Sequence, residues 1–349
     1  MSAFWHQEKP DCQKCHLDVQ LLICDTDQMK KLISYIIVIT TLSSSFSVAA
    51  VQNHLVLDQK LKTMSLKEKL KLLEQKQSGK TDHFIFDLPV TYNHKVSHWI
   101  SYFQTKGKNF FRNWLEKASK YMPYIQAELK KEGLPGDLGY MVMIESGFSS
   151  TAVSTAQAVG PWQFIQSTGK NYGLNQNYWL DERRDLQKST RAAVKYLKDL
   201  YNEFGSWYLV AASYNMGENG LRKQIKKHNT KDYWELVRRK ALPTETQEYV
   251  PKILAALMIA KAPNLYGFRN LDPEFPVNYE YVQAPSGTDL DMLADYLSVT
   301  RKSIRDINAE LVLGYIPKSQ NSHWIRIPVG SLSVARQFFR DQTKKSALE

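Results

Sequence analysis

Residues Tyr140 to Gln163 read YMVMIESGFSSTAVSTAQAVGPWQ. The apolar run from Tyr140 to Ile144 is long enough only for a short buried helix or strand, and it delivers a single carboxylate, Glu145, directly before Ser146 and Gly147. Met141, Met143 and Ile144 desolvate that acid, and a helix ended at Gly147 sets its negative end against the charge. Both effects raise the pKa, and a neutral carboxylic acid near pH 7 is what a general acid needs to protonate the leaving oxygen of a glycoside. From Ser146 to Leu180 no acidic residue occurs, while Ser149, Ser150, Thr151, Ser154, Thr155, Gln157 and Gln163 supply neutral hydrogen-bonding groups. This is a polar loop around one lone acid. Spacing alone does not separate it from a solvated glutamate at a helix end.

Two further segments decide between those readings. Gly160-Pro161-Trp162-Gln163 follows the acid, and Ala211-Ala212-Ser213-Tyr214-Asn215-Met216-Gly217 ends a later helix in small residues, a tyrosine and a turn. The ordered set resembles the goose-type-lysozyme-like lytic transglycosylases of glycoside hydrolase family 23, the SLT domain: a Glu-Ser motif, a Gly-x-x-Gln motif and an Ala-Tyr-Asn-x-Gly motif with Ser213 in the alanine's place. Asp181-Glu182-Arg183-Arg184-Asp185, Ser189-Thr190-Arg191-Ala192-Ala193 and the segment from Leu242 to Ile253 narrow the resemblance to a membrane-bound subgroup of that family. It covers Phe86 to Phe268 well and continues more weakly to Pro328.

The resemblance implies cleavage of peptidoglycan between N-acetylmuramic acid and N-acetylglucosamine with a 1,6-anhydromuramyl product, by one carboxyl group acting as acid and then as base. Residue by residue it implies Glu145 as that acid/base, Ser154 as a glycan contact, Gln163 as a donor to an N-acetyl group, Tyr214 as a tyrosine able to hydrogen-bond the glutamate, and Asn215 as a turn-fixing residue at the same site. It implies neither metal nor cofactor. Pro161 stands where leucine or methionine is usual and Ser149-Ser150 where Asn-Pro is common; neither change removes a proton-transferring group. A water-using glycosidase needs a second acid about 5–10 Å from the first. None is near Glu145 in sequence, leaving Asp181, Asp185 or another distant acid to fold back. A muramidase or a catalytically impaired wall-binding protein on the same fold are the alternatives.

The 349 residues, 43% of them apolar, suffice for one sizeable core and a small second module. Residues 1–28 read as a mis-assigned upstream extension and 29–50 as a signal peptide, with Lys30-Lys31, an apolar stretch from Leu32 to Leu42 and the small residues Ser47-Val48-Ala49-Ala50. Export to the periplasm, with possible association with the membrane or wall, follows from that reading. All three cysteines, Cys12, Cys15 and Cys24, precede this signal. The haem-attachment pattern Cys12-Gln13-Lys14-Cys15-His16 therefore lies on the wrong side of it. Removing residues 1–50 takes away four basic and five acidic side chains and moves the formal charge from +11 to +12. A basic balance favours polyanions. Export and the absence of a nucleic-acid motif point to glycan strands with carboxylated peptides rather than to nucleic acid. Oligomeric state is not legible.

Beyond an N-terminal helical arm over 51–84, helical spacing dominates. One face is Val96, Trp99, Ile100 and Phe103; a second runs from Phe110 to Leu129, broken or kinked at Pro123. Ser189 to Phe204 reads as a helix started by a Ser or Thr cap, Trp207 to Tyr214 as another, and Tyr249 to Ala260 as a third with Pro251 in its first turn. His94 and His98 stand four apart, yet with no third ligand they read as surface residues. After the linker Asp272 to Pro276, the order strand, helix, helix, strand over 271–335 is similar to a LysM module, with Gly-Thr-Asp-Leu where Gly-Asp-Thr-Leu is usual; 336–349 reads as a tail. The fold class is mainly α, a lysozyme-like catalytic domain over 85–270 with a small C-terminal α+β module.

Overall fold

The structure, a computed structural model, describes residues 86–346 apart from position 277, and side-chain surroundings up to 342. The upstream extension, the signal peptide with the cysteines, and the N-terminal arm lie outside the described residues. Every element below belongs to the unit that spans residues 72–349.

Helices dominate the body. Helix α1 (His94–Gln104) starts where the Asn93 side chain accepts the Lys95 and Val96 amides at 3.0 and 3.1 Å, and buries Val96, Ile100 and Phe103. Helix α2 (Lys108–Lys131) runs through Pro123 without a break, with Met122 and Ile125 on either side of the proline buried. The short α3 (Tyr140–Ser146) and α4 (Gln166–Asn171) flank the polar loop. Next come α5 (Leu186–Phe204), α6 (Trp207–Met216), α7 (Glu218–His228), α8 (Tyr233–Arg238) and α9 (Thr244–Lys261). Helix α5 begins earlier than expected. Asp185, not a serine or threonine, caps it by accepting the Lys188 amide at 2.8 Å, while Ser189 and Thr190 are buried inside the helix.

Helix α9 is the hub. Ile253 to Ile259 are all buried, so this stretch is apolar around its whole circumference, as a helix segment at the centre of a body must be. It packs against α1, α3 and α6. It also begins five residues before the sequence expectation, leaving Pro251 in its interior. Pro251 has no amide to offer the Gln247 carbonyl four residues back; the Tyr233 hydroxyl donates there at 3.1 Å and to the Thr246 carbonyl at 3.0 Å.

The C-terminal module pairs β1 (Tyr279–Pro285) antiparallel with β2 (Ser322–Pro328), in register from Tyr279↔Pro328 to Pro285↔Ser322, with α10 (Leu290–Tyr296) and α11 (Arg301–Ile307) between them. Strand order and helix count follow the expectation; the boundary of the tail does not. Helix α12 (Leu332–Ser346) crosses it and adds Ala335, Phe338 and Phe339 to the module's core. A two-stranded sheet exposes too much apolar surface to stand alone, and this helix covers it. The same core takes in Trp179 and Leu180 from the helical body, where Leu180 bridges Leu311 and the Val312 amide donates to the Trp179 carbonyl at 2.9 Å.

Candidate active site

Glu145 sits in the last turn of α3, with Met141, Val142 and Met143 fully buried behind it and its own side chain half-buried. Gly147 ends the helix at φ 58°, and a Cβ there would lie 2.0 Å from Trp114 Nε1, so both conformation and space demand glycine. Ser146 then ties the helix to the following loop: its hydroxyl donates to the Pro161 carbonyl at 2.9 Å and accepts the Ser149 amide at 3.1 Å.

The loop is clamped from several sides. Trp162 is fully buried, and its indole donates to Thr190 Oγ1 at 2.9 Å. Arg183 forms a bidentate pair with Asp181 at 2.9 and 2.8 Å, and its remaining nitrogen donates to the Gln157 and Phe164 carbonyls, both at 3.1 Å. Gly160, at φ 83°, presses so closely on this segment that a Cβ would lie 1.9 Å from the Arg183 carbonyl oxygen. The Asp181–Asp185 segment is thus the brace of the loop.

Packing of α9 on α3 brings the Tyr249 hydroxyl onto Glu145, where it donates to Oε1. Burial pushes the Glu145 carboxyl up to about 7; the Tyr249 hydrogen bond opposes the rise, the Glu245 charge adds to it, and the Lys252 ammonium opposes it. Glu245, Tyr249 and Lys252 follow one another at helical spacing on α9. Burial, then the Glu145 charge, holds the phenols of both Tyr249 and Tyr214 well above their ordinary pKa, so both remain proton donors in hydrogen bonds.

The residues singled out from sequence fall out as follows. Tyr214 lies close enough to feel the Glu145 charge, but its hydroxyl donates to the Trp162 carbonyl at 2.6 Å; the tyrosine bonded to the glutamate is Tyr249. The exchange has a simple cause: α6 carries Tyr214 toward the loop and α9 carries Tyr249 toward α3. Gln163, at φ 49°, donates through Nε2 to the Gly160 carbonyl at 2.8 Å and the Ala152 carbonyl at 3.3 Å. Its amide donors are engaged inside the loop, which leaves its carbonyl oxygen without a protein partner among the described residues. Ser154 accepts the Ala158 amide on its hydroxyl at 3.1 Å and shapes a tight turn. Asn215 joins α6 to α9, donating to Glu245 at 3.3 Å and accepting from Thr246 at 2.7 Å. Asp181 and Asp185 are both buried and held by arginines, which removes them as a second acid. His94 and His98 are exposed on α1, and among the described residues no cluster of three metal-ligating side chains occurs.

Tyr249, Glu245 and Lys252 are what sequence reasoning missed. The available signal was a tyrosine one turn after a glutamate, at the polar start of a helix whose second half is apolar.

Residues 122–237 match the family model described as Transglycosylase SLT domain. The match includes Glu145, Ser154, Gln163, Tyr214 and Asn215, and stops before Tyr249. The chain is 35% identical over 209 residues to membrane-bound lytic murein transglycosylase D of Escherichia coli strain K12, covering 58% of this chain and 45% of that protein. It is 27% identical over 170 residues to membrane-bound lytic murein transglycosylase C of Photorhabdus laumondii, covering 41% of this chain and 48% of that protein. The chain thus spans about half the length of these relatives. Among solved structures, the 70 kDa soluble lytic transglycosylase of Escherichia coli superposes with a TM-score of 0.37 at 19% identity, covering 50% of this chain and 32% of that one.

Proposed function

We propose that this SLT-domain chain is an exported lytic transglycosylase that cleaves the β-1,4 bond between N-acetylmuramic acid and N-acetylglucosamine in peptidoglycan. One observation carries the reading: a lone, half-buried carboxyl with a pKa of about 7, hydrogen-bonded by a phenol rather than paired with a cation. Such a group is protonated often enough to give a proton and basic enough to take one back.

In the proposed reaction the neutral Glu145 carboxyl donates its proton to the glycosidic oxygen as the C1–O bond breaks. The C6 hydroxyl of the muramyl residue closes on C1, and its proton returns to the Glu145 carboxylate. No water is consumed and the acid is regenerated. Tyr249 supports the step in which Glu145 is an anion, since a phenol donor favours the charged form. Ser154, the Gln163 carbonyl, Tyr214 and Asn215 are proposed to line and shape the glycan site, within a lysozyme-like catalytic domain over 85–270. The LysM-like reading of the C-terminal module, the signal peptide and a periplasmic location belong to the same proposal.

Mass spectrometry of fragments released from purified sacculi tests it. Anhydromuramyl ends, lighter by one water than reducing ends, are expected; reducing ends overturn the transglycosylase reading in favour of a muramidase. Glu245 gives that second reading its one support, being an exposed carboxylate whose charge reaches Glu145. A third reading, a wall-binding protein without activity, is excluded if Glu145→Gln abolishes sacculus clearing while sacculus pull-down persists.

A further inference from the structure

Between the helical body and the C-terminal module lies a cavity of about 390 Å³, within the size range of small-ligand sites. Its charges do not close. Arg326 reaches from β2 to hold two carboxylates at once, Asp185 through Nη2 and Glu310 through Nη1 at 2.7 Å, with the Tyr279 and Tyr281 rings 5.6 and 5.5 Å from its guanidinium carbon. One cation therefore serves two buried anions, and Oε2 of Glu310, a residue only 2% exposed, has no hydrogen-bond partner. Arg184 lines the same cavity with the opposite deficit: its Nε is buried and unpartnered, and Asp181 and Asp185 on either side are engaged by Arg183 and Arg326. Lys120 and Asp306, also at the wall, are already paired with Glu274 and Lys302. Buried polar atoms left without partners cost free energy, and where two of opposite character line one cavity, a ligand that carries both complements satisfies them together.

We propose that this cavity receives the zwitterionic end of a peptide, a free carboxylate on the Arg184 guanidinium and a side-chain ammonium on Glu310, with the carbon chain between them against Tyr124 and Tyr279. The proposal rests on the wall-polymer reading above, since the peptide stems of peptidoglycan carry both groups. Ser150, five residues after Glu145 on the clamped loop, lines the cavity too, which ties peptide recognition to the loop that holds the candidate acid. Glu310 is consistent with a missing cation: burial, added to by the Asp185 charge and opposed by Arg326, pushes its carboxyl up to about 7.

The test uses the full chain and the tripeptide L-Ala-γ-D-Glu-L-Lys, with its Nε-acetyl and C-terminal amide analogues, titrated by calorimetry or NMR. Each blocked charge weakens binding about tenfold, the scale of one charge-assisted hydrogen bond. Arg184→Gln, at a side chain with no hydrogen bond to lose, erases the difference between acid and amide and keeps that between amine and acetyl. Glu310→Gln, which retains an oxygen for Arg326, does the reverse. Absence of saturable binding overturns the proposal, as does an equal loss for all three peptides in both variants. Sacculus digestion run in parallel separates the two ideas: clearing without peptide binding removes the cavity alone, and peptide binding without clearing removes the enzymatic reading while the cavity stands.

Discussion

Glu145 and Glu310 make an instructive pair. Burial pushes both carboxyls up to about 7, yet their surroundings differ in kind. Glu310 is 2% exposed and held by a guanidinium. Glu145 is half-buried, at the rim of a polar loop, and held by a phenol. A raised pKa alone therefore does not mark a general acid. Partial exposure beside a polar loop and a neutral hydrogen-bond partner are what distinguish Glu145 from Glu310.

Glu145→Gln breaks the comparison most directly. Sacculus cleavage should fall about a thousandfold with the fold intact, within the range for a lost acid/base; a loss under about tenfold removes Glu145 from the mechanism. Arg326→Met tests the other member. It leaves Asp185 and Glu310 buried without their cation, and urea unfolding should show a loss of about 3–5 kcal/mol. Tyr249→Phe comes next: it deletes the bond that favours the Glu145 anion, so the basic limb of kcat/KM, where the acid loses its proton, moves to higher pH with a rate about tenfold lower. A limb that moves down would show that Tyr249 does not govern this carboxyl. The smallest effect is on stability. A folded pKa of about 7 against an ordinary 4.5 means that the carboxyl's stabilising contribution is complete below 4.5 and lost as pH rises through 7. Thermal melts should therefore find Glu145→Gln more stable than the parent by about 1–2 kcal/mol at pH 8, a figure reduced for partial exposure, and no such gain at pH 4.

Much of the site could be read in the chain itself. The apolar run, the acid and the glycine stop at Tyr140–Gly147 became a helix with a left-handed cap, because each signal is local. Helix starts were less legible. Asp185 displaced Ser189 and Thr190 as the cap of α5, since a cap is fixed by one side-chain hydrogen bond that any of several polar residues can make. Pro251 looked like a first-turn residue and proved interior, because Tyr233, 18 positions earlier in the chain, supplies the hydrogen bond the proline cannot. Gln163 looked like a free donor until the loop folded its amide back on its own carbonyls.

From residue order alone one reads a mainly helical chain, an SLT-type motif set and the acid at its centre, since short-range spacing and desolvation by adjacent residues carry those facts. Which phenol reaches the acid, which carboxylates are locked away by arginine, and that the C-terminal module shares a core and a charged cavity with the helical body depend on contacts across roughly a hundred residues or more: Tyr249 with Glu145, Arg326 with Asp185. Packing of α9 on α3 and of the two-stranded sheet on the body creates those contacts, and no local pattern encodes a distance between segments so far apart in the chain.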